Sequence, residues 1–147
     1  MAAWAGLAGV VAGALIAFAG QYVMRRVERQ ERFDSLLLEQ FAAIVALSED
    51  MRNRVWEERN QVASDVVDKW DMGAYRLAEA RLRILSQAPG LKAALEELDD
   101  AGSELGGTWR TRSGGDEAID ASLTAHRAAL ERFLVVSSQI IRHRASL

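Results

Sequence analysis

The sequence predicts an all-α protein: an N-terminal transmembrane helix that continues into a long amphipathic helix and packs with further helices as an elongated cytoplasmic bundle or coiled coil. Three observations carry that expectation. The first 24 of 147 residues hold no charge. After them, apolar residues recur at alternating spacings of four and three. Glycine and proline, the residues that interrupt helices, are confined to a few short stretches.

The opening stretch "MAAWAGLAGVVAGALIAFAGQYVMRR" is read as an anchor over residues 1–24. An uncharged run of that length is enough for a helix to cross a hydrocarbon core of roughly 30 Å. Trp4 and Tyr22 are separated by about 27 Å at the helical rise, so one ring falls at each interface. A secretory signal would place basic residues before the apolar run, whereas Arg25 and Arg26 come after it. "AFAG" at 17–20 resembles a cleavage site, but the missing basic prefix favours the anchor. Arg25, Arg26, Arg29 and Arg32 then set the orientation, with the N-terminus outside the cell membrane and the bundle in the cytoplasm. Within the run, Ala5, Gly9, Gly13 and Ala17 form a ridge of small side chains suited to helix packing in lipid. Any span rich in alanine and glycine also yields such spacing by composition alone.

Residues 25–147 are expected to form the helical bundle. A helix over about 25–60 carries the seam Leu37, Phe41, Ile44, Ser48, Met51 and Val55. The chain is expected to reverse in the segment that follows, either near Ser64 or near Gly73, with a straight continuation as the alternative, and a second helix occupies about 64–87. Its apolar face is read as Trp70, Ala74, Leu77, Ile84, Leu85 and Ala88. Pro89 closes that helix and suits the start of a third, over about 90–105, with Leu91, Leu95, Leu98 and Leu105 on one side. "GGTWRTRSGG", residues 106–115, reads as a flexible loop. Within it Trp109, Arg110 and Arg112 are candidates for an exposed partner anchor, although a simple helix connection is the blander reading. A fourth helix over 116–144 has Asp116, Glu117 and Asp120 at its start and Arg142, His143 and Arg144 at its end, as the helix dipole favours. Its seam, Ile119, Leu123, His126, Leu130, Phe133, Ser137 and Ile140, is expected to pack along the first.

Composition excludes several functions. Eighteen Lys and Arg oppose 21 Asp and Glu, with no basic field for nucleic acid. There is no cysteine, and neither histidine follows a glutamate three residues earlier, so no metal or cofactor site is expected. Ser137 and Ser138 belong to no triad pattern, and the glycine-rich stretch lacks the lysine of a phosphate-binding loop. No catalytic residues, and no small-molecule substrate, are expected. His126, on an apolar seam, is read mainly as a polar residue that sets helix register beside Ser48 or a carboxylate. A proton-sensing role is the sharper alternative.

The alanine- and glycine-rich start, the Arg pair of "QYVMRR", the Arg- and Glu-rich helix and "RLRIL" at 81–85 together resemble small actinobacterial membrane proteins of the KilB, plasmid-spread type. That resemblance implies a single-span protein connected with plasmid transfer and without catalytic residues. The expected function is accordingly a membrane-anchored helical scaffold or interaction protein, plasmid- or phage-associated and non-enzymatic. Its partners would be the lipid bilayer and either further copies of itself or a helical protein. The alternative is a membrane-active lysis or toxicity factor that works through self-association of the glycine-rich span.

Overall fold

In the computed structural model, which describes residues 2–145 and the side chains of 21–22 and 24–144, the chain is built from four α-helices, with no strand among the described residues. They are α1 (Ala2–Arg59), α2 (Met72–Leu85), α3 (Leu91–Thr111) and α4 (Gly115–Ala145). Two units divide the chain, one ending at Leu36 and one beginning at Leu37.

In the first unit, the described side chains Tyr22, Met24, Arg25, Arg26 and Val27 are all exposed. Among the described residues, no helix is long and apolar enough to cross a membrane. This overturns the single-pass placement, with its outside N-terminus and cytoplasmic bundle. Over the described side chains of α1 the physical reason is charge: Arg25, Arg26, Glu28, Arg29, Glu31 and Arg32 crowd about two turns and leave no uncharged stretch of spanning length there. Tyr22, Arg25 and Arg26 therefore have no established span to flank. The expected interface residue Trp4 and the packing ridge Ala5, Gly9, Gly13 and Ala17 lie outside the described side chains.

The second unit is a helical bundle. All six seam residues of α1, from Leu37 to Val55, are buried, as the alternating spacing predicts. So are Leu91, Leu95, Leu98 and Leu105 of α3, and Ile119, His126, Leu130, Phe133 and Ser137 of α4. α3 packs on α4. α4 also meets α1, where Phe41 and Phe133 pack edge to face with ring centroids 5.8 Å apart.

Residues 60–71 are not helical, so α2 starts at Met72 rather than near 64. The break begins where Gln61 and then Asp65 take left-handed backbone conformations. It ends at Asp71, whose carboxylate accepts from the Ala74 amide at 2.8 Å and caps α2. The intervening segment lies against α1 as a strap. Val67 inserts into a cluster with Met51, Val55, Leu105, Trp109 and Ile119. Trp70 Nε1 donates to the Leu47 carbonyl at 2.9 Å, and Arg54 donates to the Val66 carbonyl.

The expected loop at 106–115 is also revised. α3 continues to Thr111 through Gly106 and Gly107, because Leu105, Gly106 and Trp109 are buried and their packing outweighs the roughly 1 kcal/mol that each glycine costs a helix. Gly106 sits where an added Cβ would lie 3.4 Å from Met51 Cε. The chain reverses between α3 and α4 over only a few residues. Gly114 and Gly115 have φ of 84° and 67°, a region that glycine enters without penalty, and a Cβ on Gly114 would stand 2.7 Å from that of Ala118.

Glu58 ties three elements together. Its carboxylate accepts from Trp109 Nε1 at 2.7 Å and from the Val67 amide at 2.8 Å. Glu58→Gln offers only one acceptor oxygen and strands one of these donors. It is expected to lower stability by about 1.5 kcal/mol in a denaturant titration, with the helical circular dichroism unchanged.

Candidate functional site

α2 has two apolar stripes, and the bundle buries only one. Tyr75, Ala78 and Leu82, at spacings of three and four, face the core. Leu77 and Ile84 remain 52% and 81% exposed. The sequence reading assigned Leu77 and Ile84 to the core face, and the structure reverses that choice. The rotation is fixed by a charged clamp. Glu79 is buried, and its carboxylate is held by Arg76 at 3.1 Å and Arg83 at 2.7 Å, one turn to either side. Arg76 also reaches Asp99 of α3 at 3.1 Å. The hydrogen bond to Glu79, followed by the charge of Asp99, raises the Arg76 pKa above its ordinary value. A buried carboxylate with two guanidinium partners tolerates no rotation that would strip it of them.

Gly73, Leu77, Ala80 and Ile84 thus form an exposed row at spacings of four, three and four. Arg76, Arg81 and Arg83 border it, and Arg81 has no ion pair among the described residues. The row is the geometry of a coiled-coil seam whose flanking positions carry one sign of charge.

Beneath α2 lies a cavity of about 250 Å³. Ser48 and Met51 of α1, Val67 and Trp70 of the strap, and His126 of α4 line it. Met72 and Tyr75 of α2 and Leu98, Asp99, Gly102, Ser103 and Gly106 of α3 also line it, with Arg110 and Asp68 beside them. The expected pairing of His126 with Ser48 is not made. Ser48 Oγ and His126 Nδ1 are both buried and have no hydrogen-bond partner among the described residues. Burial, and secondarily the charge of Arg52, pull the His126 pKa from 6.5 down to about 4, so the ring is neutral at physiological pH. Burial likewise pushes the Tyr75 hydroxyl well above its ordinary pKa, helped by Asp99 and Glu79.

Of the candidate anchor residues, Trp109 is turned inward, while Arg110 and Arg112 remain exposed. Trp109 is buried and bonded to Glu58, Arg112 lies over its ring at 3.4 Å, and Arg110 pairs with Asp68 at 3.3 Å. Sequence reasoning missed Tyr75, Glu79 and Asp99. The run Arg76, Glu79, Arg83 held a signal, since spacings of three and four place all three side chains together on one helix face. Two polar residues, Ser48 and His126, each on an otherwise apolar seam, were the corresponding signal for the cavity. No protein family, curated protein or solved structure matches this chain.

Proposed function

We propose that this chain is a non-enzymatic helical interaction protein that presents the outer seam of α2 to an amphipathic helix of a partner protein bearing Asp and Glu beside its apolar row. The supporting observation is the exposure of Leu77 and Ile84 on a helix whose opposite face is already buried. An apolar row left in water on a clamped helix is surface available for association. Its border selects the occupant. With Arg76 and Arg83 already held by Glu79 and Asp99, the border keeps one positive charge in excess, at Arg81; a second copy would bring that charge against its like, whereas an acidic helix would complement it. Self-association of the chain, the other expectation from sequence, is therefore the weaker reading for this face. The non-enzymatic part of the proposal rests on the lack of a sequence pattern combining nucleophile, base and anion-binding loop. The likeness to plasmid-spread proteins suggests plasmid transfer as the setting in which to seek the partner.

Photo-crosslinking amino acids at positions 77 and 84, in cells, test this reading. Both are expected to label one segment of one partner, with apolar residues at heptad spacing and acidic flanks. A synthetic peptide of that segment should bind the wild-type chain at least about tenfold more tightly than the L77D/I84D variant. The variant's unfolding free energy should stay within about 0.5 kcal/mol of wild type, because both positions are exposed. Adducts with a second copy of this chain alone, or with many unrelated segments, would overturn the proposal.

A further inference from the structure

We propose that the strap at 60–71 is a gate over the cavity: it lifts off α1 and α3 as one unit while the helices stay folded, and so opens the interior to solvent. The gate is a device of the fold and rests on no reading of the outer seam of α2.

Position comes first. Val67, Asp68 and Trp70 of the strap line the cavity, whereas its other lining residues stand on α1, α2, α3 and α4. The strap is therefore the wall that can leave without breaking a helix.

How the strap is held decides how it moves. Of residues 60–71, only Val67 is buried, and Trp70 is half-buried. The tethers that dock it come from α1: Glu58 accepts from the Val67 amide, Arg54 donates to the Val66 carbonyl, and the Leu47 carbonyl accepts from the Trp70 indole. Leu47, Arg54 and Glu58 are spaced by seven and four residues, which places them along one face of α1 in a single row. Asp68 adds a pair with Arg110 between two exposed side chains, a contact that solvent weakens. A segment with so little apolar burial opens locally while the core holds.

The hinge lies at the N-terminal end. Gln61 and Asp65 have φ of 57° and 55°, a left-handed region disfavoured for residues that carry a Cβ. Lifting the strap releases that strain, which favours the open gate. At the other end the bond from the Ala74 amide to the Asp71 carboxylate belongs to α2, so that helix keeps its cap when the strap moves.

Hydrogen exchange of the full chain under native conditions, read by nuclear magnetic resonance, tests the gate. Two reporters sit in the tethers, the Val67 amide proton and the Trp70 indole proton. They are expected to share one protection factor, at least about 30-fold below those of the Leu98 and Leu130 amides inside α3 and α4. Arg54→Met, which removes the bond to the Val66 carbonyl, should speed both reporters by about fivefold. Phe133→Leu is the control for global opening. Phe133 stays packed against Phe41 whether the gate is open or shut, so the variant should speed the Leu98 and Leu130 amides by at least about fivefold and leave both reporters at their wild-type rates. Reporters protected as well as those amides, or accelerated along with them by Phe133→Leu, would show that the strap leaves only when the bundle unfolds, and would overturn the proposal. So would two unrelated protection factors, or an Arg54→Met variant that speeds one reporter alone, since the strap would then fray piecemeal.

Discussion

Phe133→Ala is expected to destabilise the second unit by about 3–5 kcal/mol, enough to unfold much of the population of a marginally stable domain. Phe133 is fully buried and stands on the α4 seam against Phe41 of α1. Truncation removes the transfer free energy of the ring and leaves a ring-sized hole. The hole cannot close easily, because its walls belong to long helices held elsewhere. Arg59 pairs with Asp120 across α1 and α4, and Arg132 pairs with Glu97 across α4 and α3. Phe133→Leu keeps most of the volume and loses mainly the edge-to-face geometry, so its expected cost is about 1–2 kcal/mol. The neighbouring Leu134 is 42% exposed, and Leu134→Ala should cost less than about 1 kcal/mol. Guanidinium unfolding midpoints at constant slope measure all three. A Phe133→Ala midpoint as close to wild type as that of Leu134→Ala would show that the aromatic pair does not tie α1 to α4.

The seams were legible in the sequence because each depends on one helix alone. From Leu37 to Val55, with Leu38, Val45 and Leu47 as exceptions, and from Ile119 to Phe133, the positions off the apolar row are polar or small, so one face is favoured for the inside. α2 was not legible in this way. It carries one apolar stripe through Tyr75, Ala78 and Leu82 and another through Leu77 and Ile84, and sequence periodicity cannot rank two candidate faces. What decides between them is the clamp on Glu79, and one member of it, Asp99, comes from α3. The strap at 60–71 failed for a similar reason. Its order comes from Glu58, Leu47 and the cluster around Trp109, all distant in sequence from the strap itself or from one another. Gly106 and Gly107 misled by propensity, a weak preference that burial of Leu105 and Trp109 overrides. The cavity was half legible: Ser48 and His126 stood out as polar residues in apolar rows. That they meet at one void, rather than pairing, depends on the glycines of α3.

His126 makes the stability of the bundle depend on pH in a window of its own. Its ring is 98% buried, a figure complementary to its 2% exposure. It shares its surroundings with Arg52 of α1, Asp99 of α3 and Tyr75 of α2. Burial disfavours the charged form and Arg52 disfavours it further, which lowers the folded-state pKa to about 4 from an unfolded value of 6.5. Between those two values the unfolded chain binds a proton that the folded chain refuses. Stability therefore falls as pH drops through the window, by at most about 1.4 kcal/mol per unit, and the loss nears completion at about pH 4. Summed over the window, the loss is on the order of 3 kcal/mol. The Arg59–Asp120 pair acts in the same direction but lower on the scale, since the hydrogen bond from Arg59 holds the Asp120 pKa below the ordinary carboxylate value. Above about pH 5 the decline should therefore be dominated by His126. His126→Gln, which cannot titrate, is expected to flatten the stability profile between pH 6.5 and 5 while preserving helix content. If wild type and His126→Gln lose stability in parallel over that range, the imidazole is charged at no greater cost in the fold than in the unfolded chain.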